Sequence, residues 1–92
     1  MDEMDELLDA YYTGVYTRDS WSLKAWWSPS QHYFYVQVEH DLSERGGWIR
    51  AWLMASPEHL ARYATLEAAH AAIREFLNQP DWSRCQELSG VI

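Results

Sequence analysis

A single cysteine, Cys85, stands among the 92 residues, so no disulfide can close within the chain. Nothing in its cysteine usage points to an oxidising compartment. No apolar run comes near the ~18 residues of a membrane span. Bases are scarce, with seven Lys and Arg against fourteen Asp and Glu, for a formal net charge of −7. That balance argues against general binding to duplex nucleic acid, whose affinity comes largely from neutralising phosphates. The acidic start, Asp2-Glu3-Met4-Asp5-Glu6, is opposite in sign to the basic leader of a secretory signal. These features predict a soluble, cytoplasmic protein. Motifs that carry a reaction are also missing: no nucleophile elbow, no HExxH, no dinucleotide fingerprint and no phosphate loop. The sequence therefore predicts a non-enzymatic protein without a cofactor.

Aromatic residues are plentiful instead. Six Trp, six Tyr and two Phe sit in a chain that is 48% hydrophobic, which excludes disorder as a description. Trp seldom buries completely, so some indole surface is expected at the protein boundary. A chain this long makes one domain with one core, burying about 60–65% of its unfolded surface. Residues 1–92 are read as that domain, with 80–92 as a C-terminal extension.

Residues 2–13 fit an amphipathic helix. Met4, Leu7, Leu8, Tyr11 and Tyr12 fall on one side and Asp2, Glu3, Asp5, Glu6 and Asp9 on the other, with Gly14 as the stop. Trp21–Ser28, His32–His40 and Trp48–Ala55 alternate like half-buried strands. Asp41–Gly47 is a polar connection with neither calcium-loop nor phosphate-loop spacing. Ser56-Pro57-Glu58 reads as the start of a short helix running to about Tyr63. Thr65 caps a longer helix over residues 66–78, with Leu66, Ala69, Ile73, Phe76 and Leu77 as its apolar stripe and Pro80 as its end. A short helical turn and a tail pinned by Trp82 and Leu88 complete the chain.

The expected fold class is α+β: an N-terminal helix, a three-stranded antiparallel meander and a C-terminal helix, in the order α-β-β-β-α. Leu23, Ala25, Phe34, Val36, Val38, Ile49, Ala51 and Leu53 form the sheet face under the helix at 66–78. In outline this order resembles that of some small acidic phage anti-CRISPR proteins. Such a resemblance implies a stoichiometric inhibitor of a CRISPR effector. The double-stranded-RNA-binding domain shares the order. Its last helix normally opens on lysines, whereas this chain has Thr65-Leu66-Glu67-Ala68-Ala69, which argues against RNA.

Two features are candidate partner-binding sites. The first is the acidic run Asp2, Glu3, Asp5, Glu6 and Asp9, which supplies −5 of the −7. As a helix it spans about 10 Å at 1.5 Å per residue. Duplex DNA carries about six charges over that length, so such a helix would suit a basic groove built for nucleic acid. The same pattern also fits an ordinary solvated helix face. The second is the outward sheet face, where Lys24, Trp26, Tyr33, Tyr35, Trp48, Arg50 and Trp52 would point away from the helix at 66–78. It suits a protein hot spot, a single-stranded nucleic-acid platform or the interface of a homodimer. It would equally be a second core layer if the first helix lay across it.

Neither the four histidines nor Cys85 makes a recognisable centre. Glu67-x-x-His70 is half of a carboxylate-bridged metal motif without its second half, and no Cys/His spacing fits zinc. The expected function is an acidic protein-binding module that inhibits a basic nucleic-acid-handling protein. A single-strand binder and a homodimeric adaptor or immunity-type protein are the alternatives.

Overall fold

The computed structural model describes residues 11–42 and 47–87. Four long strands form an antiparallel meander: β1 (Tyr11–Arg18), β2 (Trp21–Ser28), β3 (Tyr33–Leu42) and β4 (Gly47–Ser56). After β4 come a two-residue strand β5 (His59–Leu60), the helix α1 (Leu66–Asn78), a 3₁₀ turn (Trp82–Arg84) and a last strand β6 (Cys85–Glu87). The sheet runs β1-β2-β3-β4-β5, and β6 pairs with β4.

Local chemistry explains the turns. Asp19 closes the β1–β2 hairpin at φ 55°, and His32 closes β2–β3 at φ 58°. Both lie in the left-handed region that Asp and His tolerate better than most side chains. Ser28 organises the second turn: its carbonyl accepts from the His32 N–H at 2.8 Å and its hydroxyl accepts from the Gln31 N–H at 3.3 Å.

Helix α1 covers the segment with the helical stripe, and Thr65 Oγ1 accepts from the Ala68 N–H at 3.1 Å as its N-cap. Ala69, Ile73, Phe76 and Leu77 pack onto Leu23, Ala25, Val36, Val38 and Leu53 of the sheet. Tyr16, Trp21, Phe34, Tyr63 and Trp82 rim this core. Phe76 and Ile73 are fully buried.

Three expectations are corrected, and with them the α-β-β-β-α order and its outline resemblance to anti-CRISPR proteins. Tyr11, Tyr12 and Thr13 are strand, not the end of a helix; the rest of that expected helix, residues 2–10, lies outside the described residues. Tyr, Thr and Val are poor helix formers and good strand formers, and β1 pairs with β2 from Tyr11 to Arg18 with one register shift. Gly14 does not stop a helix; it sits where the β1–β2 register shifts, as at a β-bulge.

The second correction concerns 57–63. Ser56 and Pro57 begin a tight turn, not a helix, and His59–Leu60 folds back on Met54–Ser56. The chain then runs between two strands. The Ala61 N–H donates to the Leu53 carbonyl at 2.9 Å, while Tyr63 and Phe34 exchange bonds of 2.8 and 2.9 Å. Open backbone groups on β3 and β4 thus overrule the local capping signal. Third, the C-terminal extension carries β6, which pairs Cys85, Gln86 and Glu87 with Leu53, Trp52 and Ala51. Three strands therefore become six, with one α-helix among the described residues. None of the described helices is long and apolar enough to cross a membrane.

Candidate functional site

The sheet face turned away from α1 is built by the pleat. Alternate residues of β2, β3 and β4 place Lys24, Trp26, Tyr35, Gln37, Glu39, Arg50 and Trp52 on it. Its two halves differ in chemistry.

One half is aromatic. Tyr35 and Trp52 are 2% and 7% exposed and cluster with Leu60, with Trp26 and Met54 packed alongside. Trp52 receives Trp26 edge-on at 5.9 Å and Tyr35 edge-on at 6.5 Å, geometries that the ring quadrupoles favour. β5 supplies Leu60 to this layer, which is why the turn at Pro57 matters here. A base can stack only on an accessible ring, so Tyr35 and Trp52 present almost no π-face to a ligand. Tyr33, 38% exposed, is open to solvent, and the Arg62 guanidinium lies 5.8 Å from its ring centre.

The other half is charged. Glu39 is buried and faces two bases. Its Oε1 lies 2.7 Å from Lys24 Nζ and its Oε2 lies 3.4 Å from Arg50 Nε. Arg50 is its direct cross-strand partner on β4, and Lys24 sits diagonally across on β2. Two cations thus meet one buried anion on this face of an acidic protein. The sequence places Glu39 on this face, but only the register reveals it as the point where both bases meet.

The expected site residues divide accordingly. Trp26, Tyr35 and Trp52 come together as a packed layer, Arg50 joins Glu39, and Tyr33 stands at the exposed rim. Trp48 takes its place in β4 opposite Asp41. Asp2, Glu3, Asp5, Glu6 and Asp9 lie outside the described residues.

The histidines are engaged within the fold. His70 Nε2 meets the Tyr16 hydroxyl at 2.9 Å, and His40 Nε2 meets the Ser20 hydroxyl at 3.1 Å. No group of three or more His, Cys, Asp or Glu among the described residues has the arrangement of a metal site.

A second concave site lies where β4 outruns β6. Strand β6 begins at Cys85, opposite Leu53, so it does not reach the end of β4 at Ser56. The resulting cleft, of about 710 Å³, is lined by Ser56, Arg62, Tyr63, Ser83, Arg84 and Cys85. Met54 and Ala61 add apolar surface. Burial pushes the Cys85 thiol up to about 12; the Arg84 guanidinium opposes that rise and Asp81 adds to it. Burial also raises Tyr63, against the pull of Arg84, with Glu75 adding to the rise. Asp81 is held below the usual carboxylate range by the Ser83 hydroxyl and N–H, which donate to it at 2.6 and 3.0 Å. No sequence signal marked this cleft, because β5 and β6 carry no strand alternation long enough to read.

Comparison with protein-family models, curated proteins and solved structures gives no match for this chain.

Proposed function

We propose that this protein is a non-enzymatic binding module whose acidic leading segment engages a basic nucleic-acid-handling protein and inhibits it stoichiometrically. One observation carries the reading: five of the fourteen acids fall within residues 2–9, with no base among them. Elsewhere the described acids include two with structural roles. Glu39 is matched by Lys24 and Arg50, and Asp81 caps the 3₁₀ turn. The acidic segment immediately precedes β1 in the sequence. A concentrated negative segment speeds encounter with a basic surface and makes the complex sensitive to salt.

The burial of Tyr35 and Trp52 favours this reading over single-strand binding through the aromatic face. The test is a pull-down with the full chain as bait, followed by competition. A captured basic protein should release its own DNA or RNA as this chain is added to equimolar amounts. Capture that leaves nucleic-acid binding intact would contradict inhibition.

A further inference from the structure

The sheet face turned away from α1 is nearly as buried as the core, polar residues included. Gln37 and Glu39 are each 7% exposed, beside Tyr35 at 2% and Trp52 at 7%. A solvated face of an antiparallel sheet leaves its polar residues open to water. Among the described residues, α1 serves the opposite face, and β5 brings Leu60 to this one, at its aromatic end. Burial on both faces calls for a layer on each. Lys24, Trp26 and Tyr35 each make a further contact beyond those described above.

We propose that residues 2–10 of this chain supply that layer, with Met4, Leu7 and Leu8 seated on Trp26, Tyr35 and Met54 and the acids of the segment left outward. The apolar residues recur at spacings of three and four, so one side of the segment is apolar and the other acidic. The point of entry fits: Tyr12 pairs with Trp26 on β2, at the aromatic half of the face. The three residues from Leu8 to Tyr11 span at most about 11 Å, and β2 and β3 lie about 5 and 10 Å from β1. Leu7 and Leu8 are therefore within reach of Trp26 and Tyr35. The charges fit as well. Glu39, in the middle of this face, is paired with Lys24 and Arg50, which removes the repulsion an acidic segment would meet there. Seating fixes the acids in place, and their use on a basic partner rests on the function proposed above. The seat is read without any partner, so the two ideas can fail separately.

The test is nuclear Overhauser spectroscopy on the full chain, alone in solution, with labelled methyl groups. Cross-peaks should join the Leu7 or Leu8 methyls to the Trp26 ring protons or the Met54 methyl. Leu7→Ser/Leu8→Ser should lose them and move the Trp26 indole N–H resonance. The resonance of Trp21, which packs on Phe76 at the opposite face, should stay. If the double variant does not fold, the parent spectrum decides alone. Three results would overturn the proposal. The first is a parent chain with no cross-peak from residues 2–10 to this face. The second is a folded double variant with its Trp26 resonance unmoved. The third is cross-peaks found only between labelled and unlabelled chains in a mixed sample, which would make a second copy the occupant.

Discussion

Trp21 and His40 stack face to face, with ring centres 3.9 Å apart and planes within 1° of parallel. They are direct cross-strand partners on β2 and β3. The stack also reaches the helical layer, because Trp21 meets Phe76 edge-on at 5.4 Å and Trp82 at 6.1 Å. One aromatic column thus ties the sheet to α1 and to the turn before β6.

Replacing His40 with Ala should therefore cost about 1 kcal/mol, the worth of one aromatic pair beyond its buried area. Urea unfolding monitored by tryptophan fluorescence checks it. Phe76→Ala, at a fully buried position, should cost about 3–5 kcal/mol by the same assay.

Glu39 holds Lys24 and Arg50 side by side on one sheet face. Glu39→Ala leaves the two cations facing each other without their shared anion. The expected loss is about 1 kcal/mol, because both cations keep part of their hydration and screen the ion pairs. Adding Lys24→Met to that variant should recover part of the loss. A double variant no more stable than Glu39→Ala would show that repulsion between the bases is negligible.

Cys85 should react slowly. With the thiol at about 12, iodoacetamide at pH 8 should modify the folded chain at least tenfold more slowly than the urea-unfolded chain. The same shift sets an alkaline limit. The folded value lies above the ordinary 9.0, so its contribution to stability is complete below pH 9 and is lost as pH rises toward 12. Tyr63, raised above 10.0, acts in the same direction. Stability should therefore fall between pH 9 and 11, and less steeply in Cys85→Ala, as measured by urea midpoints.

His32 occupies a left-handed conformation at φ 58°. His32→Gly should be neutral or mildly stabilising, whereas His32→Val should cost about 1–2 kcal/mol, because a β-branched side chain is strained there. Thermal unfolding of the two variants distinguishes these outcomes.

The parts of the fold legible in sequence are those with a long, regular signal. α1 has a cap at Thr65 and a stripe from Leu66 to Leu77, and the strands around Ala25, Val36 and Ala51 alternate for eight residues or more. β1 was hidden because Tyr11 and Tyr12 also complete a helical stripe with Met4, Leu7 and Leu8, and because Gly14 breaks its alternation. β5 and β6 have two and three residues, too short for any period, and exist because β4 has backbone groups to satisfy. Alternation correctly grouped Trp26, Tyr35, Arg50 and Trp52 on one face. It carried no information on exposure, which Leu60 and the ring contacts determine.

The central claim, that the acidic leading segment makes the functional contact, is tested most directly by salt titration. Affinity for the captured basic protein is measured against ionic strength for the parent chain, for Asp5→Lys/Glu6→Lys/Asp9→Lys and for Tyr33→Ala/Arg50→Ala. The parent should show a steep loss of affinity with salt. The triple lysine variant should lose binding with its circular dichroism unchanged, and the sheet-face variant should keep the parent's salt slope. Equal affinity of the triple variant and the parent at low salt would remove residues 2–9 from the interface.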